Sequence, residues 1–205
     1  MKILNLTLQN FKGIHYFRLD TQGKDTNIYG DNGTGKTTLA DAFMWLLFDK
    51  DSSNRKDFQI KTLGPDGEPE HGLEHYVEAI LQLSNGSQLA LKKVYYEKWT
   101  KKKGSATAQF TGHTTDYFVD GVPVQKKEYD VRIVEIADEN IFRLLTDPRY
   151  FNEVLHWQKR RELLLEVCGD VSDAEVIASK ADLSKLADIL GNRTIEQHRK
   201  VIQAR

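Results

Sequence analysis

The run Gly30-Asp31-Asn32-Gly33-Thr34-Gly35-Lys36-Thr37 constrains this chain more than any other, because it fits G-x-x-x-x-G-K-[ST] at every specified position. Glycines let the backbone curl until successive N–H groups face one concavity, which suits phosphate oxygens. Lys36 would then bring an ammonium to the β- and γ-phosphates of a nucleotide, and the Thr37 hydroxyl is a ligand for Mg²⁺. A helix starting at Lys36 would aim the positive end of its dipole at the same anion. The flanks agree with this reading. Asn27-Ile28-Tyr29 reads as a short strand entering the loop, and the spacing of Leu39, Phe43, Leu46 and Leu47 predicts an amphipathic helix over 36–48. A glycine turn with an incidental lysine is the bland alternative, and those flanks weigh against it.

Before the loop, residues 3–9 alternate as a strand, and after the turn at Phe11-Lys12-Gly13 residues 14–19 read as its antiparallel partner. Residues 49–73 are polar and rich in Gly, Pro, Asp and Lys, as a long loop is. Residues 76–83 and 88–96 are strand-like and joined by Ser84-Asn85-Gly86-Ser87, a hairpin signal. A basic turn follows at 98–105, then strand character at 109–111 and 117–119, then a tight turn at Asp120-Gly121 before Val122. From Gln125 the pattern becomes helical, with Tyr129, Ile133 and Ile136 on one face, a break at Asp147-Pro148 and a strong helix over 157–167. Asp170-Val171-Ser172-Asp173 reads as a helix cap, and further helical turns cover 182–190, ended by Gly191-Asn192, and 194–205. Strands first and helices later imply an α/β class with a mixed sheet and its helices gathered on one side.

Composition narrows the function classes. Lys plus Arg number 29 against 30 for Asp plus Glu, a net charge of -1, so there is no overall electrostatic case for nucleic acid, although local patches stay possible. One cysteine, Cys168, excludes an internal disulfide or a cysteine zinc cluster, and its apolar neighbours suggest a core position. The N-terminus has no signal-peptide pattern, and the longest apolar stretch, residues 43–48, is too short for a bilayer, so a cytoplasmic protein without a membrane partner is expected.

A complete nucleotide hydrolase also needs an acid on Mg²⁺ and a group that polarises water. The one apolar run ending in acids, residues 131–139, is helical in spacing, so Asp138 and Glu139 read as solvated acids at a helix end. His71, His75 and His113 lack paired ligand spacing and read as surface residues. Lys98, Lys101, Lys102 and Lys103 with Trp99 could meet a nucleic-acid backbone, although a solvated hairpin tip is the plainer reading. Trp45 and Trp157 sit on apolar helical faces and read as core.

The elements Leu6-Thr7-Leu8-Gln9-Asn10-Phe11-Lys12-Gly13, Ile28 through Thr38, and Ala42-Phe43-Met44-Trp45-Leu46-Leu47-Phe48 together resemble the SMC-like ATPases, a group that includes SbcC-type proteins, RecN and RecF. The match is strong over 1–48 and looser to about 168. The resemblance implies a P-loop NTPase fold of ABC type, with residues 1–168 as the N-terminal lobe of the ATPase head. Residues 169–205 would be a helical segment leading into a coiled coil. It implies ATP and Mg²⁺ as cofactors. Gly30, Asp31, Asn32, Gly33, Thr34, Gly35, Lys36, Thr37 and Thr38 would hold the nucleotide, with Lys12 as a basic residue approaching it. The implied partners are DNA, the protein's own C-terminal ATPase lobe, a second head and an SbcD-type nuclease. In the group a glutamine before the helix at 157–167 helps to bind Mg²⁺; none stands there in this chain, and Asn152 is the candidate substitute. Two rival readings are a self-contained small NTPase or nucleotide kinase, and a non-catalytic nucleotide-binding module.

Overall fold

A computed structural model of the chain describes residues 1–101, 107–147, 149–169, 172–191 and 193–204. Lys102 to Ser105 of the basic turn, Pro148 of the expected break, Asp170 and Val171 of the expected cap, Asn192 and Arg205 lie outside the described residues. The chain forms two compact units, residues Met1–Phe142 and Arg143–Arg205.

The first unit is built on a six-stranded sheet. Its strands are β1 (Lys2–Phe11), β2 (Ile14–Asp20), β3 (His75–Gln82), β4 (Gln88–Thr100), β5 (Gln109–Val119) and β6 (Val122–Val124), in the spatial order β2-β1-β3-β4-β5-β6. Every neighbouring pair is antiparallel. Period-two patterning decides which face is covered: His75, Val77, Ala79 and Leu81 of β3 are buried while the residues between them are half-buried. Register carries that face across the sheet, setting Leu8 opposite Val77 and Leu6 opposite Ala79, then Ala79 opposite Leu91 and Leu81 opposite Leu89.

Two helices cover this face, α1 (Lys36–Phe48) and α2 (Lys126–Ile136). Leu39, Ala42, Phe43, Trp45, Leu46 and Leu47 of α1 share one core with those strand residues and with Tyr129 and Ile133 of α2. Leu8, Leu46 and Leu81 are fully buried, each worth roughly 1.5–3 kcal/mol by area removed from water. The α/β class holds, and α1 and α2 share one face of the sheet. Two expectations do not hold. The sheet is antiparallel throughout its six strands, where a mixed sheet was expected, because residues 27–29 do not join it: Ile28 is 42% and Tyr29 86% exposed. The predicted amphipathic helix is also a core helix, with Asp41 through Leu47 all buried.

The far end of α1 rests on a buried cation. Lys93 of β4 donates to the Trp45 carbonyl oxygen at 2.8 Å and to Asp49 Oδ1 at 2.6 Å, within about 5–6 Å of the Trp45, Tyr117 and Tyr129 rings. The ammonium adds a second donor to a last-turn carbonyl that already accepts from Asp49 N at 3.1 Å. Asp49, in the left-handed conformation at the C-cap, also pairs with Lys126, and the Tyr129 hydroxyl donates to the Leu46 carbonyl at 3.0 Å. Burial lowers the Lys93 pKa to about 8 against the pull of Asp49.

The second unit contains the π-helical turn Tyr150–Val154, α4 (Trp157–Cys168), α5 (Asp173–Ala178), α6 (Ser184–Leu190) and α7 (Ile195–Gln203), preceded by α3 (Glu139–Thr146), which begins in the first unit. Ser172 and Thr194 cap α5 and α7 with capping boxes to Glu175 and Gln197. No described helix is long and apolar enough to cross a membrane.

The folded-state pKa of Lys93 lies below its unfolded value of 10.5, so the unfolded chain binds more protons between those limits and this residue's contribution to stability rises as pH climbs from about 8 to 10.5. Lys93→Met fills the same aromatic box and leaves Asp49 paired with Lys126. Denaturant unfolding of both proteins from pH 7 to 10 should show the native protein gaining on the variant above pH 8, by on the order of 1 kcal/mol per pH unit. Parallel profiles would refute the account.

Candidate nucleotide-binding site

Residues 30–37 curl as their glycines require. Gly33 and Gly35 have φ of 83° and 95°, in the left-handed region that side chains disfavour. A Cβ on Gly30 would stand 2.7 Å from Thr34 Oγ1, and one on Gly35 would stand 3.1 Å from Ile14 Cδ1. Gly35 is thus also where the loop presses onto β2. The Asp31 carbonyl gathers the turn, accepting from Thr34 N at 3.4 Å and from Thr34 Oγ1 at 2.8 Å.

Gly35 is the N-cap of α1, and no side chain caps the helix; its first turn holds no acidic residue either. The first backbone N–H groups of a helix have no acceptor inside it, so those of Lys36, Thr37 and Thr38 are displayed at the loop. Lys36 folds back over the curl, where Nζ donates to the Gly30 and Asp31 carbonyls, both at 2.6 Å. Asp31, Asn32, Gly33, Thr34, Lys36 and Thr37 are exposed. An ammonium and the uncapped amide end of a helix therefore stand together at one exposed curl, donors of the kind that suit a polyphosphate.

The other predicted residues are placed as follows. Lys12 Nζ pairs with Asp41 of α1 and lies 5.0 Å from the Phe58 ring centroid. Asn152 lies in the π-helical turn of the second unit, where its backbone carbonyl accepts from Arg160 at 2.9 Å. Asp138 caps α3 by accepting from Asn140 N and Ile141 N at 2.9 and 3.0 Å, and Glu139 pairs with Lys50 at 2.5 Å, so both acids have structural partners. Trp45 is buried as expected. Trp157, 59% exposed, and Cys168, also exposed, are not core residues: α4 buries none of its side chains among the described residues, whatever its apolar pattern. His75 is fully buried rather than on the surface, with Nδ1 2.5 Å from the Asn10 carbonyl, and its removal from water lowers its pKa.

Two acids escaped the sequence reading, and both tie down the long loop. Asp41 holds Lys12 on one side and accepts from Ser52 N at 2.9 Å and Ser52 Oγ at 2.5 Å on the other. Glu97 of β4 pairs with Lys61, sits 2.6 Å from His71 Nδ1, and accepts from Trp99 Nε1 at 3.0 Å and Gly72 N at 3.3 Å. These donors, Lys61 foremost, hold its pKa down at about 2. A polar residue inside a buried helix stretch was the visible signal for Asp41. Nothing local marked Glu97.

A family described as "AAA domain" matches residues 5–200. The chain belongs to this AAA domain family. It is also 28% identical over 177 residues to a DNA replication and repair protein RecF from Azobacteroides pseudotrichonymphae genomovar. CFP2, covering 83% of this chain and 47% of that protein. The chain thus spans about half the length of this curated relative. Among solved structures it is similar to a recombination mediator protein RecF bound to ATP, with a TM-score of 0.42 and 16% identity over 82% of this chain and 47% of that one. RecF stands within the SMC-like group that the first 48 residues resemble, and that resemblance holds.

Gly35→Ala combines a left-handed backbone with the Ile14 contact, whereas Gly33→Ala has the backbone strain alone, since nothing stands within 4 Å of its added carbon. Urea unfolding should show a cost of about 1 kcal/mol for Gly33→Ala and more for Gly35→Ala. Equal costs would mean that the loop does not press on β2.

Proposed function

We propose that this chain is the ATP-binding N-terminal half of an SMC- or SbcC-like ATPase head that acts on DNA in repair or recombination, in the cytoplasm. One observation carries the reading: an uncapped helix N-terminus overlaid by Lys36 at the end of a three-glycine curl. In it, residues 30–38 cradle the phosphates and the Thr37 hydroxyl takes Mg²⁺. ATP would displace the carbonyls that Lys36 now holds. Lys12 enters through its pair with Asp41, which ties the β1–β2 turn to the helix that bears the site.

The unpaired segment supports a second lobe. Ile28 and Tyr29 are apolar, exposed and adjacent to the loop, as a strand is before a partner covers it. The protein's own C-terminal lobe would supply that partner together with the acid and the water-polarising group. ATP would then clamp two such heads together, and an SbcD-type nuclease would bind near the coiled-coil base. Asp138 and Glu139 have structural roles, which disfavours a self-contained NTPase.

Titration of the chain with ATP and Mg²⁺, followed calorimetrically, should give saturable binding without appreciable turnover. Lys36→Ala removes a charge-assisted contact worth about 1.5–3 kcal/mol and should weaken that binding about ten- to a hundredfold. Steady turnover by the chain alone, abolished in the same variant, would overturn the half-site reading.

A further inference from the structure

The β4–β5 hairpin carries two large rings that the phosphate loop does not use. Trp99 is 51% and Phe110 48% exposed, and they meet edge to face with centroids 5.6 Å apart. Sequence alternation would separate them. His113 lies opposite Glu97 and so shares a face with it and Trp99, and Phe110, three residues before His113, belongs to the other face of a regular strand. A bulge corrects this. Lys98 pairs with Gly112 and Trp99 with Phe110, so Thr111 is the extra residue and Phe110 turns to the face of Trp99. Gly112 allows it with a φ of 121°, and the Thr111 hydroxyl bonds the Lys98 carbonyl at 3.0 Å.

The pair is also fixed from beneath. The Trp99 indole N–H donates to Glu97, which is itself held by Lys61 and Gly72 N. Phe110 packs on His113 at 5.1 Å, and His113 stacks on Tyr95 at 5.0 Å. Half-exposed rings held in place lose little freedom when a ligand lands on them. Lys101, two residues after Trp99, is exposed, and the Glu97 carboxylate beneath Trp99 is buried and paired with Lys61.

We propose that Trp99 and Phe110, with Lys101 two residues beyond Trp99, form a stacking platform for single-stranded nucleic acid. Unpaired bases offer flat faces to both rings while Lys101 meets a phosphate, and a duplex hides those faces. Two rings alone make too small an apolar area for a stable protein interface. The platform gives the DNA-acting reading a contact surface, but it stands on residues outside the phosphate loop.

The test is fluorescence anisotropy of a short labelled oligothymidylate with the full chain, its Trp99→Ala, Trp99→Phe and Phe110→Ala variants, and Lys101→Gln across a salt series. Trp99→Ala and Phe110→Ala should each weaken binding about tenfold, and Trp99→Phe should keep most of it. Lys101→Gln should flatten the salt dependence by about one unit of slope. The matching duplex should bind more weakly and ignore the ring variants. ATP binding, measured on the same samples, should be unchanged and so confirms that each variant folds. No binding by the native chain, equal affinity in a folded Trp99→Ala, or equal capture of polyglutamate would overturn the platform. Loss of ATP binding by the native chain, with the oligothymidylate result intact, would overturn the ATPase reading and leave the platform standing.

Discussion

The uncapped first turn of α1 is the constraint on which the rest of the first unit depends. A helix that starts without a side-chain cap leaves donors without partners, and such an end is tolerated where water or an anion can reach it. Lys36 adds a cation to the same spot and rests on two carbonyls. The site is therefore already charged and curled without a ligand. What it needs is a helix that does not move, and α1 is fixed along its length. Its middle packs on β1, β3 and β4, Asp41 ties it to Lys12 and Ser52, and Lys93 with Tyr129 takes up its final carbonyls.

Two of these anchors, Asp41 and Lys93, are charges taken from water, an expensive choice unless each charge is paired and hydrogen-bonded. The chain meets that condition closely. Asp41, Asp51 and Glu97 each accept from backbone as well as side-chain donors: Asp51 from Ser53 N at 3.0 Å and Arg55 N at 2.8 Å, besides the Arg55 guanidinium. Together they hold down a loop, residues 49–74, that has little apolar surface to bury. The same Glu97 that pins this loop also orients Trp99, so the loop and the hairpin platform share one carboxylate.

Local signals account for what was legible in the sequence. The glycine spacing gave the curl at residues 30–37, the Leu39, Phe43 and Leu46 spacing gave α1 to its observed ends, and alternation with an Asn-Gly turn gave the β3–β4 hairpin. Long-range geometry was not legible. The Lys93 box joins β4 to residues 45, 117 and 129, and no window along the chain contains them all. The pattern of α4 promised burial that the described residues do not provide, so Trp157 and Cys168 were misjudged. The segment 27–29 has the composition of a strand but no neighbour to pair with among the described residues, and a strand is defined by its neighbour. The bulge at Thr111 was hidden for the same reason, because a face assignment read from alternation fails wherever one residue is extra.

The most direct check on the central claim is a ¹H–¹⁵N spectrum of the chain recorded with rising concentrations of a non-hydrolysable ATP analogue and Mg²⁺. If the first turn of α1 is the anion site, the amide signals of Gly33, Gly35, Lys36, Thr37 and Thr38 move first and farthest, and saturate together. Shifts concentrated elsewhere, with those five amides unmoved, would contradict the account.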